Sequence, residues 1–175
     1  MPAFQQAFKI VVGEEGGFGA NPADPGNWTG GACGAGALVG TKYGIAASAH
    51  PTLDIPNLTL DQARNIYEVE YWHPVHGDQL PPSLALLVFD AAVNNGVGRA
   101  VRWLQAALGV AVDGQIGPAT LTAIALSSGS GAVVSAEFQA QRLLFMAGLP
   151  TWRTFGRGWA RRLTRLPYDA LQMGA

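Results

Sequence analysis

The sequence predicts a mainly α-helical protein. Apolar residues recur at helical spacing in several segments, glycine or proline stands where helices should begin and end, and no series of strand-like segments is found. Of the 175 residues, 49% are hydrophobic and 13% are charged, so the chain can bury a sizeable core.

The first predicted helix runs from Phe4 to Glu15, and Gly16 and Gly17 suit its left-handed end. A glutamate at the negative end of a helix is disfavoured as an anion, so its pKa should rise toward the range that a general acid needs. The apolar face of this helix slightly favours Glu15 over Glu14 for that role. Two solvated acids at the end of a surface helix are the alternative.

A Gly/Pro-rich loop or small hairpin is predicted at residues 21–40. A second helix should begin near Thr59, where Thr59 and Gln62 can form a capping box. Ser83 is expected to cap a strongly apolar helix that ends at Gly96, and Pro118 suits the first position of a later helix. Other helices are predicted at residues 99–108, 132–147 and 151–166.

Three motifs, EGGF at residues 15–18, NPADPG at 21–26 and TKYGI at 41–45, resemble the catalytic segment of glycoside hydrolase family 108. These are peptidoglycan muramidases found among phage endolysins and bacterial secretion-associated proteins. The segment 84–121 resembles the peptidoglycan-binding region that follows. The resemblance implies a lysozyme-like catalytic lobe at residues 1–80, with a helical, peptidoglycan-binding-like lobe at 81–175 packed against it. It also implies cofactor-free hydrolysis of the β-1,4 bond between N-acetylmuramic acid and N-acetylglucosamine.

The resemblance also assigns catalytic residues. The glutamate directly before the two glycines is catalytic in that family, and Glu15 occupies this position. Related phage lysozymes place an aspartate nine residues further on and a threonine shortly before a Gly-Ile pair, which Asp24 and Thr41 match. Asp24 would act as the base or water-positioning carboxylate, and Thr41 would help to hold the water. The longer loop before TKYGI makes Thr29 a second candidate for the Thr41 role, and Asp-Pro-Gly is also an ordinary turn sequence.

Several side chains are candidates for substrate binding. Tyr43 and Trp72 could pack against sugar rings, and Trp28 in the long loop could line the same groove. Asn94 and Asn95 either cap their helix or bind an N-acetyl group.

Asp90 lies among apolar residues, which predicts a buried strut that needs hydrogen-bonding partners, such as a helix N-terminus. The single Cys33 excludes an internal disulfide and is expected to be a loop filler. The segment EYWHPVHGD, residues 70–78, contains metal-ligand residue types. Pro74 interrupts the helix that would align them, so no metal is expected. The basic stretch 157–165 is either a solvated face or a contact for anionic peptidoglycan or lipid.

The net charge of −1 gives no reason to expect a nucleic-acid partner. No segment is apolar enough to span a membrane, and the start lacks the basic region of a signal peptide. We therefore expect a monomer made in the cytoplasm that acts on periplasmic peptidoglycan after release by a holin or a secretion system. The rival hypothesis is a non-catalytic peptidoglycan-binding or secretion-assisting protein, against which the presence of Glu15 argues.

Overall fold

The computed structural model describes residues 2–13, 17–127 and 131–173. The helices within these ranges are α1 (Ala3–Val11), α2 (Leu60–Tyr67), α3 (Pro82–Asn95), α4 (Val97–Leu108), α5 (Pro118–Leu126), α6 (Gly131–Ala147) and α7 (Trp152–Leu171). Strands β1 (Thr41–Lys42) and β2 (Ile45–Ala46) form an antiparallel hairpin. Short 3-10 turns lie at Pro25–Asn27 and Gly77–Gln79, and a π-helical turn, Glu68–Trp72, continues from α2. The prediction of a mainly α-helical fold is confirmed.

The chain divides into two compact units. The loop unit comprises residues 8–67, and the helical unit comprises residues 1–7 with 68–175. The division falls within α1 and again at the end of α2. The boundary at residue 80 that the sequence predicts stays a prediction. No described helix combines the length and apolar character needed to cross a lipid bilayer.

The helix α2 of the loop unit begins as the sequence predicts. The Thr59 backbone N–H donates to the Gln62 side-chain oxygen at 2.9 Å, and the Gln62 N–H donates to the Thr59 hydroxyl oxygen at 3.2 Å. This reciprocal pair is a complete capping box. Behind it, Ala63 and Tyr67 face the interior, and the Tyr67 ring packs edge-on against Phe8 at a centroid distance of 5.5 Å.

The end of α1 differs from the prediction. The helix ends at Val11 and does not reach Glu15. Gly13 adopts a left-handed φ of 83°, and its N–H donates to the Phe8 carbonyl at 3.2 Å. Gly13 therefore takes the terminating role that was predicted for Gly16 and Gly17, because it is the first residue after the apolar face that reaches this conformation without strain. Glu14 and Glu15 lie outside the described residues.

The helix α3 is the buried centre of the helical unit, with every residue from 84 to 92 buried. It begins at Pro82, and the Ala85 N–H donates to the Pro81 carbonyl at 2.9 Å. The prediction that Ser83 caps this helix is wrong, because Pro82 already has the backbone angle of a first helical residue. The predicted end at Gly96 is confirmed by its φ of 89°, and α5 begins at Pro118 as predicted.

Asp90 is fully buried and forms the predicted strut, although its partners are arginines and not a helix N-terminus. Arg142 of α6, itself fully buried, donates to Asp90 Oδ2 at 2.6 Å. The Nε of Arg162 in α7 donates to Asp90 Oδ1 at 2.8 Å, and the Nε of Arg142 donates to Asn95 Oδ1 at 2.8 Å. Burial lowers the pKa of Arg142, while the charge of Asp90 opposes that shift. One carboxylate thus joins α3, α6 and α7.

We predict that Asp90→Asn lowers the free energy of unfolding by about 3–5 kcal/mol, because it leaves a buried guanidinium without its counter-charge. Denaturant titration followed by circular dichroism measures this loss. The control is Asp61→Asn, which breaks an exposed pair with Arg64 at 3.0 Å and should cost no more than about 1 kcal/mol. Equal losses for the two variants would contradict the role assigned to Asp90.

Candidate active site

The hairpin of the TKYGI motif holds Tyr43 at its tip. Tyr43 and Gly44 both have positive φ, 51° and 75°, as the two-residue turn of a tight hairpin requires. The Tyr67 hydroxyl donates to the Tyr43 carbonyl at 3.0 Å, and a Cβ on Gly44 would lie 2.6 Å from that hydroxyl oxygen. The half-buried Tyr43 ring has the Lys42 ammonium 5.7 Å from its centroid. The turn is therefore fixed by α2, and Tyr43 stays a predicted substrate-binding residue.

The chain that follows Glu15 is fixed to β1. The Gly19 N–H donates to the Thr41 carbonyl at 2.9 Å, and the Thr41 N–H donates to the Gly19 carbonyl at 2.8 Å. Gly40 permits this close approach, because a Cβ there would lie 2.6 Å from the Gly19 oxygen. The segment that follows Glu15, the predicted general acid, thus lies beside Thr41, the predicted water-holding residue.

The buried side chain of Asn27 joins the Asp24 turn to β1. The Thr41 hydroxyl donates to Asn27 Oδ1 at 2.7 Å, and Asn27 Nδ2 donates to the Asn21 carbonyl at 3.0 Å. The Asn27 carbonyl also accepts hydrogen bonds from the N–H groups of Val39 and Gly40, at 3.0 Å each. Sequence reasoning missed this residue, because an asparagine in a Gly/Pro-rich loop looks like an ordinary turn residue.

Asp24 is exposed and begins the 3-10 turn at Pro25–Asn27. Its Oδ1 accepts the Gly26 N–H at 2.9 Å, which is the turn chemistry that Asp-Pro-Gly predicts. No described residue donates a hydrogen bond to the second carboxylate oxygen, Oδ2, so Oδ2 can face a ligand. The turn role of Asp24 is observed, and its catalytic role stays a prediction.

The two candidate threonines have different partners. The Thr29 hydroxyl oxygen accepts the Ala37 N–H at 2.9 Å, and the Thr29 N–H donates to the Ala37 carbonyl at 3.0 Å. Thr29 therefore stabilises the long loop itself, whereas Thr41 is joined through Asn27 to the turn that bears Asp24. This arrangement favours Thr41. Trp28 is half-buried, and its indole N–H donates to the Pro22 carbonyl at 2.9 Å, which leaves its sugar contact a prediction.

The expected sugar contact of Trp72 is contradicted by its burial. This side chain lies in the helical unit and has no exposed surface. Its indole N–H donates to Asp78 Oδ1 at 3.0 Å, and its ring packs against Phe4 and Phe89. Trp72 is a core residue, because every face of its ring is already in contact with protein.

Asn94 and Asn95 also belong to the helical unit. Asn94 Nδ2 donates to the Asp90 carbonyl at 2.8 Å, and Asn95 Oδ1 accepts from Arg142. These contacts stabilise the end of α3 and the hydrogen-bond network around Asp90 and Arg142. The alternative that either residue binds an N-acetyl group stays a prediction.

Among the described residues, no three His, Cys, Asp or Glu side chains lie close enough together to hold a metal ion. Within the segment 70–78, Asp78 accepts from Trp72, and His76 lies 3.2 Å from the Gln79 side-chain amide. Cys33 is exposed in the long loop.

The comparisons with known proteins agree with this fold. Residues 8–96 match a family model described as Glycosyl hydrolase 108, and residues 99–164 match one described as Predicted Peptidoglycan domain. The solved structure of Brucella abortus SagA is 32% identical, covers 97% of this chain and 94% of its own, and superposes with a TM-score of 0.78. No curated protein matches the chain.

The chain thus combines a segment that matches a glycosyl hydrolase model with a following helical segment that matches a peptidoglycan domain model. It belongs to the glycosyl hydrolase 108 family. The lysozyme-like, mainly α fold that the sequence predicts is confirmed.

We predict that Asn27→Ala lowers the free energy of unfolding by about 1–3 kcal/mol, because the Thr41 hydroxyl and the Asn21 carbonyl lose their buried partner. Lysis should fall further than this loss of stability explains, since the Asp24 turn and Thr41 are no longer joined. Thermal melting and initial lysis rates below the melting transition measure the two effects. Asn57→Ala is the matched control, because that exposed amide donates to the exposed Asp54 carboxylate at 3.0 Å. Unchanged lysis by Asn27→Ala would contradict this account.

Proposed function

We propose that this protein is a muramidase that hydrolyses the β-1,4 bond between N-acetylmuramic acid and N-acetylglucosamine. Membership of the glycosyl hydrolase 108 family supports glycosidase activity on peptidoglycan. The observation that carries the finer proposal is the Asn27 side chain, which joins the Asp24 turn to Thr41 on β1. The same strand holds the chain that follows Glu15.

The proposed reaction uses two carboxyl groups in different protonation states. Glu15 donates its proton to the bridging oxygen as the bond to the anomeric carbon breaks. Ionised Asp24 stabilises the positive charge that develops on the sugar, and then takes a proton from the attacking water. The hydroxide adds to the anomeric carbon, so the products are two free sugar ends. These steps are proton transfers and a displacement by water, which this chain's own residues can perform.

Thr41 has a definite orientation for its proposed role. Its hydroxyl hydrogen is donated to Asn27 Oδ1, which leaves the hydroxyl oxygen as an acceptor. A water molecule that donates a hydrogen bond to this oxygen keeps the lone pairs of its own oxygen free. We propose that one of these lone pairs faces the anomeric carbon. Asn27 would then be a positioning residue that acts through Thr41.

Peptidoglycan glycan strands are the proposed substrate, and the match of residues 99–164 supports that choice. Release to the periplasm by a holin or a secretion system, and action as a monomer, remain proposals that follow from the sequence.

We predict that Glu15→Gln abolishes clearing of permeabilised Gram-negative cells, with a rate loss of at least about 10²-fold, because glutamine cannot donate the required proton. Circular dichroism should show an unchanged fold. The neighbouring Glu14→Gln is the control and should keep most activity. The assignment of the general acid is wrong if Glu14→Gln is the inactive variant.

We predict that Asp24→Asn lowers the initial lysis rate by about 10²–10⁴-fold, because a neutral amide cannot stabilise positive charge or accept a proton from water. The asparagine oxygen can still accept the Gly26 N–H, so the turn should survive.

The control for this experiment is Asp54→Asn, which changes an exposed aspartate of the same unit that contacts Asn57. Near-normal turnover by Asp24→Asn would show that Asp24 is only a turn residue.

A further inference from the structure

The helix α7 concentrates the positive charge of the chain. Five of the eleven Lys and Arg residues lie between positions 153 and 165. Three of them, Arg153, Arg157 and Arg161, follow one another at four-residue intervals and are exposed; we call them the arginine ridge. Side chains at this spacing share one helix face, about 6 Å apart along the axis.

The arginine ridge has no counter-charge among the residues that the structure describes. None of its three guanidinium groups forms an ion pair or hydrogen bond with a described residue. The other two arginines of the segment differ, because Arg162 binds Asp90 and Arg165 lies 3.7 Å from Asp169. Like charges four residues apart destabilise a helix, and Asp169 is the one acidic residue in the α7 sequence. An anion from outside the chain would relieve this repulsion.

Gly158 lies within the arginine ridge and has no packing reason to be glycine. A Cβ built there would meet nothing within 4 Å, whereas a Cβ on Gly156 would lie 2.6 Å from the Trp152 ring. Glycine in a helix interior is unfavourable compared with alanine. Its place here leaves a hollow of about 360 Å³ lined by Arg157, Gly158 and Arg161. Such a hollow admits a carboxylate between two guanidinium groups, whose planar donors match carboxylate geometry.

The packing of α7 argues against a lipid surface. A helix that lies in a membrane interface inserts a free apolar face, opposite its basic residues, into the lipid. On α7 the side opposite the arginine ridge is packed against the protein, where Gly156, Leu163, Leu166 and Ala170 are buried. The exposed ring of Phe155 lies on that side, 5.8 Å from the ring of Trp159.

We propose that the arginine ridge binds the carboxylates of peptidoglycan stem peptides and so holds the protein on the sacculus. This inference rests on the proposed function only in taking peptidoglycan as the substrate. Stem peptides repeat along each glycan strand, so a row of cations can engage several carboxylates at once. The ridge also lies within residues 99–164, the segment that matches the peptidoglycan domain model.

The test is binding of the full chain to purified sacculi, measured by sedimentation in the cold at several salt concentrations. The triple variant Arg153→Gln/Arg157→Gln/Arg161→Gln should bind about tenfold more weakly at low salt, because three exposed ion pairs are lost. Wild-type binding should weaken steeply with salt, and binding of the triple variant should weaken much less. Its melting temperature should not fall, since the substitutions remove repulsion.

Two further variants test whether binding depends on the arginine ridge or on positive charge in general. Arg102→Gln removes an exposed arginine of α4 whose guanidinium contacts the Gly98 carbonyl at 3.2 Å, and it should bind sacculi like the wild type. Gly158→Leu fills the hollow without changing charge and should weaken binding. Equal losses for Arg102→Gln and the triple variant would overturn the proposal.

Chemical amidation of the sacculus carboxylates should reduce wild-type binding to the level of the triple variant. The proposal is also overturned if the triple variant binds sacculi normally but no longer binds phosphatidylglycerol vesicles, since the ridge would then be a lipid site. Release of sugar reducing ends from the same sacculi by the wild type tests hydrolysis separately. If no ends appear while the triple variant still loses binding, the proposed hydrolysis fails and the arginine ridge stands.

Discussion

The hydrogen bond from the Thr41 hydroxyl to Asn27 is the contact on which the candidate active site depends. It connects two loops that have little regular structure, in a unit whose strands are only two residues long. A buried amide with both a donor and an acceptor can satisfy Thr41 on one side and the Asn21 carbonyl on the other. Because Asn27 is itself buried, its amide is left without a partner when either bond is broken, which costs free energy. The positions of Asp24 and Thr41 are therefore set together.

The helical unit is held together by a buried charge, whereas the contact at Asn27 is between neutral groups. Asp90 receives hydrogen bonds from Arg142 and Arg162, on helices distant in sequence. Such a network contributes little when complete but costs much when one partner is removed, because the remaining charge stays buried. It therefore specifies how α3, α6 and α7 pack together.

The features that the sequence predicted well have local causes. The capping box at Thr59 and the helix end at Gly96 each depend on residues within one turn, and Asp90 could be predicted as a strut from its apolar neighbours alone. Its partner Arg142 lies 52 residues away, and the Thr41 partner of Asn27 lies 14 residues away, so no spacing rule identifies either. The misplaced end of α1 has another cause, because several glycines there can end a helix and only packing decides which one does.

The proposed muramidase cuts the glycan strand on the reducing side of N-acetylmuramic acid, with water as the nucleophile. Mass spectrometry of borohydride-reduced muropeptides released from purified sacculi tests it most directly. Muramidase activity predicts products that end in reduced N-acetylmuramic acid. Products that end in reduced N-acetylglucosamine would show that the other glycosidic bond is cut, and anhydromuramic ends would show that water is not the nucleophile. Either result would show that the chain is not a muramidase.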